Sequence, residues 1–160
     1  MKNITLIILF ILTIITANAQ NSLPNLSLKT IDGKTIKTDE LSKNGPIVIS
    51  LWATWCGPCN KELDAISDVY DEWVEETGIK LYAVSIDDSR TVKRVKPLVN
   101  GKGWEYEILL DTNHELKRAL GVSTVPVTLI VKNNKIVYRH SGYTPGAEDE
   151  LFEEIKKHTK

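Results

Sequence analysis

Residues 51–66 read LWATWCGPCNKELDAI and hold the only two cysteines of a 160-residue chain, Cys56 and Cys59, separated by Gly57 and Pro58. The run leading into them, PIVISLWA from Pro46 to Ala53, is continuous and apolar, as a central strand covered on both faces would be. Beyond them Leu63, Ile66, Val69, Tyr70 and Trp73 recur at three- and four-residue steps. That spacing predicts a helix starting near Cys56, and Gly78 marks its stop. The pair therefore sits where a buried strand hands over to a helix. Three uses compete for it: a structural disulfide, half of a metal site, and a redox dithiol.

As a staple the pair would achieve little. Cross-linking removes more unfolded-chain entropy the longer the loop it closes, and Cys56 to Cys59 closes almost none. A closed zinc site needs four ligands, which would have to come from His114, His140 and His158. None of these stands at ligand spacing from another, and they are expected on a helix surface, at a strand end and in the tail, so no metal is expected. A redox dithiol suits the position better. At the first turn of a helix, unpaired backbone N–H groups and the helix dipole favour a thiolate at Cys56. Pro58 is tolerated there because the first helical N–H groups lack partners anyway. Cys59 lies one turn further in. The expected division of labour is an exposed nucleophile, Cys56, and a more buried resolving thiol, Cys59.

Around this junction the chain alternates strand and helix patterns. Leu23 to Leu41 reads as a short strand pair about Asp32-Gly33, with Leu26, Leu28, Ile31 and Ile36 available for burial. Ile79 to Ile86 is a second buried strand, followed by Asp87-Asp88-Ser89 as a helix cap and by Val92, Val95 and Leu98 at helical spacing, limited by Pro97 and Gly101. Trp104 to Leu110 reads as a strand and NHELKRALGV as a helix ending at Gly121. PVTLIV and KIVYRHSGY are strands joined through Asn133-Asn134, a hairpin signal, and Ala147 to Lys157 closes the chain as a helix. The fold class expected is α/β: a mixed central sheet with helices on both faces.

With 42% hydrophobic and 26% charged residues, the composition suits one globular domain. Twenty Lys and Arg against 21 Asp and Glu leave a formal charge of −1 and no basic run, which gives no support to a nucleic-acid partner. The start, MKNITLIILFILTIITANAQ, has the layout of a secretory signal peptide: a cation at Lys2, an apolar run from Ile4 to Ile15, and Ala17-Asn18-Ala19 before Gln20. Spanning a bilayer takes about 20 apolar residues, more than this run supplies. The expected division is residues 1–19 as a signal peptide, cleaved after Ala19, and 20–160 as a domain outside the cytoplasm; an uncleaved N-terminal membrane anchor is the alternative.

WATWCGPC, followed about 70 residues later by GVSTVPVTLIV and then by NNKIVYRHSGY, resembles the thioredoxin fold, and in detail its extracytoplasmic TlpA/ResA-type branch. The likeness runs from about Leu23 to the C-terminus. It implies a three-layer sandwich with an N-terminal strand pair and a helical insertion, here roughly Asp87 to Leu110. It also implies that Pro126 is a cis-proline facing the two sulfurs, with the backbone of Val125 presented to an extended substrate chain. Trp55, Gly57 and Pro58 complete the implied substrate surface, whereas Trp52 could equally be core.

Cytoplasmic thioredoxins carry a buried Asp six residues before the first cysteine; this chain has Ser50 there, which cannot serve as a base. Glu62, three residues after Cys59, matches the acidic residue of TlpA/ResA-type proteins, and the resemblance implies that it tunes the dithiol and accepts the Cys59 proton. Its bland alternative is a solvated helix carboxylate. Where the family often has a helix-kinking proline, this chain has Asp64, so a straighter helix is expected.

The function implied is a thiol-disulfide oxidoreductase that needs no cofactor beyond the Cys56–Cys59 disulfide. Gly-Pro between the cysteines favours a reductant: thioredoxin lies near about −270 mV, while DsbA, with a His in that position, lies near about −120 mV. A reductant in an oxidising space needs electrons, so a membrane donor of the DsbD/CcdA type is implied, with apocytochrome c among the cysteine-containing targets. The protein is expected to act as a monomer. A general periplasmic disulfide reductase or an oxidant, and a protein- or metal-binding module without turnover, are the alternatives. A peroxidase would require a peroxide-reactive cysteine in another motif.

Overall fold

The computed structural model describes residues 21–159, so the expected signal peptide and its cleavage point at Ala19 lie outside the described residues. β1 (Ser27–Thr30) and β2 (Thr35–Lys37) form the expected antiparallel pair, turning through Gly33 at φ 85°. There follow β3 (Ile47–Trp52), α1 (Gly57–Thr77), β4 (Lys80–Ser85), α2 (Val95–Lys102), β5 (Glu107–Leu110), α3 (Glu115–Ala119), β6 (Val127–Lys132), β7 (Lys135–Ser141) and α4 (Ala147–Thr159).

The strands make one seven-stranded sheet in the order β2-β1-β5-β4-β3-β6-β7. β3, β4 and β5 run parallel, because β4 and β5 are each reached by a crossover carrying a helix. β6 returns antiparallel beside β3, and β7 beside β6 through Asn133 and Asn134, whose φ values of 51° and 61° give the left-handed pair that a two-residue hairpin uses. All six residues of β3 are buried, so both faces of the sheet are covered, as the sandwich reading requires.

α1 buries Leu63, Ile66 and Trp73 and ends at Gly78, which takes the left-handed conformation at φ 67°. Each of these side chains contributes on the order of 1.5–3 kcal/mol by leaving water. Trp73 stacks on Phe152 of α4, with ring centroids 5.3 Å apart, so α1 and α4 cover the same sheet face. Trp52 is wholly buried and meets Trp104 edge to face at 5.1 Å, which makes it a core residue.

The segment between β4 and β5 departs from the sequence reading. Its helix begins with a 3-10 turn at Val92–Arg94 and has no side-chain cap. Asp87 is drawn inward instead, and Asp88 takes the exposed role by binding the Arg90 backbone and side chain. Pro97 and Gly101 lie inside α2 rather than limiting it; Pro97 is its third residue, where no intrahelical partner for an N–H is lost, and Gly103 at φ 69° ends the helix. Strand geometry begins only at Glu107. Tyr106 and Trp104 turn to α1: the Tyr106 hydroxyl donates to the Leu63 carbonyl at 2.9 Å, and the Trp104 indole N–H to Asp64 Oδ1 at 3.0 Å. Asp64, which stands where the resembled family often has a kinking proline, thus fastens the insertion to a continuous 21-residue helix.

Candidate functional site

Cys56 is the N-cap of α1, with extended backbone at φ −92° and ψ 100°, and Gly57 and Pro58 are the first two helical residues. The sulfurs of Cys56 and Cys59 are joined, their Cα atoms 5.3 Å apart. The Cys59 N–H donates to Cys56 Sγ at 3.3 Å. After reduction the same donor and the positive end of a 21-residue helix would meet the negative charge of a Cys56 thiolate. Cys56 is only 7% exposed, more covered than the exposed nucleophile expected, while Cys59 is fully buried. An incoming sulfur therefore meets Cys56 first.

The covering comes from a segment 69 residues away. Val125 O lies 3.7 Å from Cys56 Sγ, a contact and not a hydrogen bond, since a disulfide sulfur carries no proton. The Val125–Pro126 peptide bond is cis. Pro126 is buried, Val125 half-buried, and Ser123 and Thr124 before them are exposed. Trp55 stands out at 60% exposure, and Gly57 and Pro58 are exposed as well. Of the residues named from the sequence for substrate contact, Trp55 and Gly57 flank Cys56 in the chain with Pro58 next, and Val125 reaches its sulfur from the loop into β6.

Glu62 is not a solvated helix carboxylate: it is 4% exposed. α1 carries it over the sheet, where Ser50 Oγ donates to Oε2 at 2.9 Å and Thr128 Oγ1 to Oε1 at 2.8 Å. Ser50 and Thr128 are directly paired on β3 and β6, so the two hydroxyls stand side by side. Burial pushes the Glu62 carboxyl above the usual carboxylate range; the Thr128 and Ser50 donors oppose the rise, and the charge of Glu148 adds to it. A carboxyl so placed changes protonation state nearer to neutrality than a surface glutamate does.

Asp87 is a residue that sequence reasoning missed. Its buried carboxylate accepts from the Thr54 backbone N–H at 2.8 Å, from the Thr54 hydroxyl at 2.6 Å and from the Ser85 hydroxyl at 2.7 Å. Thr54 O in turn accepts from the Asn60 side-chain amide at 3.3 Å. The loop carrying Trp55 and Cys56 is therefore tied from below to the end of β4. The signal was a carboxylate straight after a buried strand, where it needs partners. Asp87→Ala would leave the buried Ser85 hydroxyl and the two half-buried Thr54 donors without their acceptor, an expected loss of about 1–3 kcal/mol in urea unfolding. An unchanged midpoint would show that the carboxylate does not hold this loop.

The histidines are dispersed. His114, in left-handed conformation at φ 56°, places Nε2 2.7 Å from Ile86 O, and His140 lies half-buried on β7. Among the described residues no three His, Cys, Asp or Glu side chains gather as a metal-ligand set, and no helix is long and apolar enough to cross a membrane.

Comparison with known proteins agrees with this geometry. The model of the AhpC/TSA family matches residues 19–140. The thiol-disulfide oxidoreductase ResA of Bacillus thuringiensis (strain Al Hakam) is 28% identical over 115 residues, which cover 71% of this chain and 64% of that protein. The chain thus spans somewhat less than two thirds of that relative's length. A thioredoxin-like protein of Porphyromonas gingivalis superposes with a TM-score of 0.75 at 50% identity, covering 88% of this chain and 92% of that one. StoA of Bacillus subtilis shares the fold with a TM-score of 0.67 at 22% identity, covering 82% and 97%. The fold is thioredoxin-like, as the sequence resemblance implied.

Proposed function

The chain belongs to the AhpC/TSA family, and on that premise we propose that it is an extracytoplasmic thiol-disulfide oxidoreductase that reduces disulfides in protein substrates through Cys56 and Cys59. The observation that carries this reading is the order of burial at the helix cap: Cys56 keeps a small exposed area beside the Val125 carbonyl, and its partner Cys59 is wholly inside. The curated relatives named ResA support the same chemistry.

In this reaction the Cys56 thiolate attacks a substrate disulfide and forms a mixed disulfide, releasing one substrate thiolate. Cys59 loses its proton to Glu62 and attacks Cys56 Sγ, releasing the second thiolate and leaving the Cys56–Cys59 bond. Two electrons pass to the substrate. The backbone of Val125 would pair with the substrate chain beside the reacting sulfur, and Trp55, Gly57, Pro58 and Pro126 would frame it.

A thioredoxin-like reductant outside the cytoplasm is re-reduced by a membrane thiol donor, of the DsbD/CcdA type that the family resemblance implies; apocytochrome c is the target it implies, and the protein acts as a monomer. The signal-like N-terminus supports the location. Equilibrating the domain with thiol-disulfide buffers tests the direction. A reduction potential near thioredoxin's, about −270 mV, is expected; one near DsbA's, about −120 mV, would make substrate oxidation the working assignment.

A further inference from the structure

A proton that Glu62 receives from Cys59 can return to Cys59 only when the disulfide is reduced again; while the protein stays oxidised, its exchange with solvent needs another path. Neither hydrogen-bond partner can take it, because Ser50 and Thr128 bind the carboxylate as hydroxyl donors and are not bases near neutral pH. On the side away from the cap the structure offers another way. Glu62 and Thr128 form one wall of a small, largely enclosed cavity whose other walls include Tyr138, His140, Glu148 and Leu151. Its volume of about 10 Å³ is room for roughly one water centre, and within a mostly apolar lining Glu62, Thr128, Tyr138, His140 and Glu148 supply the polar side chains such a water would meet.

The sheet register explains why these groups meet. Ser50 of β3 pairs with Thr128 of β6, and Thr128 pairs with His140 of β7. Directly paired residues point to the same face, so the three make a polar row beneath α1 and α4, running from the buried carboxyl to the sheet edge. His140 and Glu148 are half-buried and so reach both the cavity and solvent. Glu148, near the start of α4, is held by the Tyr143 hydroxyl at 2.9 Å and the Gly146 N–H at 3.1 Å.

We propose that this cavity holds a water that carries the proton from Glu62 to His140, and that His140 is the proton-relay residue of the dithiol. The proposal rests on Glu62 being the acceptor for Cys59. When Cys59 attacks Cys56 Sγ, its proton goes to the Glu62 carboxylate, the Cys56–substrate bond breaks and the Cys56–Cys59 bond forms. Glu62 then returns to carboxylate as the proton passes through the water to the imidazole. The imidazolium releases it to solvent, from which the substrate thiolates take up theirs, so no further oxidant or base is needed.

The groups around Glu62 are Cys59 one turn earlier on α1, Ser50 from β3, Thr128 from β6, Tyr138 and His140 from β7, Glu148 from α4, and the Tyr106 and Tyr143 hydroxyls within electrostatic reach. Burial raises both Tyr106 and Tyr143 above the ordinary tyrosine value, so neither accepts or gives protons near neutrality. Histidine is the side-chain type suited to exchange there. Glu148 lines the same cavity and offers the water a carboxylate partner.

The test follows the carboxyl infrared band of Glu62 in the oxidised protein after a rapid pH jump, the band being assigned by its loss in Glu62→Gln. His140→Phe, and His140→Gln as a polar substitute that cannot carry the proton, are each expected to slow the relaxation by about 10²-fold, with added imidazole restoring part of the rate. Relaxation as fast as the parent's in both variants would overturn the relay while leaving Glu62 as acceptor. If Glu62→Gln itself leaves the Cys59 thiol titration unchanged, the acceptor role falls and this proposal with it.

Discussion

Cys56→Ser is expected to lower turnover in insulin-type disulfide reduction with dithiothreitol by on the order of 10³-fold or more, the scale on which removal of a nucleophile acts. The serine hydroxyl can still accept the N–H of Cys59 as an N-cap, which Ser does well, so the start of α1 and the fold should persist. Loss of activity would then report chemistry and not unfolding. Cys59→Ser should behave differently. Its Cys56 can still attack, but nothing resolves the product, so a covalent mixed disulfide with the substrate should accumulate and be visible by mass spectrometry. Accumulation in Cys56→Ser in place of Cys59→Ser would reverse the two roles. A stoichiometric metal held by the two reduced sulfurs, without turnover, would support a binding module instead.

Glu62→Gln should affect both stability and rate. Because burial raises its pKa in the folded protein, the native state binds more protons than the unfolded chain over the interval between the ordinary value of 4.5 and the folded value. Stability contributed by this group is therefore greatest below about 4.5 and falls as pH rises through the folded value. Glutamine fits the same pair of hydroxyls, which can rotate to accept from its amide, and carries no charge to desolvate. The variant should lose that part of the pH slope and melt higher than the parent at neutral pH. Resolution of the mixed disulfide should meanwhile slow by about 10²-fold, the contribution of a positioned proton acceptor. Calorimetry across pH 4 to 8 and rapid-quench kinetics check the two halves separately. A variant with unchanged resolution rate and unchanged thiol pKa values would remove Glu62 from the mechanism.

Much of the site was legible in local pattern. The apolar run into Cys56, the three- and four-residue steps behind it and the Asn133-Asn134 turn each report a backbone preference within a few residues, and the structure has the strand, helix and hairpin they predict. The insertion was less legible. Asp87-Asp88-Ser89 carries the composition of a cap, yet Asp87 is claimed by Thr54, 33 residues earlier, and the helix starts later without it. Pro97 was misread as a limit because the helix start was placed too early.

The sequence by itself determined that a helix would begin at a cysteine pair after a fully covered strand, since periodicity and spacing are properties of neighbouring residues. Only the tertiary structure decided what surrounds that pair. The depth of Glu62, its two hydroxyl donors, the row that ends at His140 and the approach of Val125 to Cys56 depend on β3 lying between β4 and β6 in one register. A single-residue slip in that pairing would turn Ser50 and Thr128 to opposite faces and leave the buried carboxyl without partners, and no local pattern encodes which register is kept.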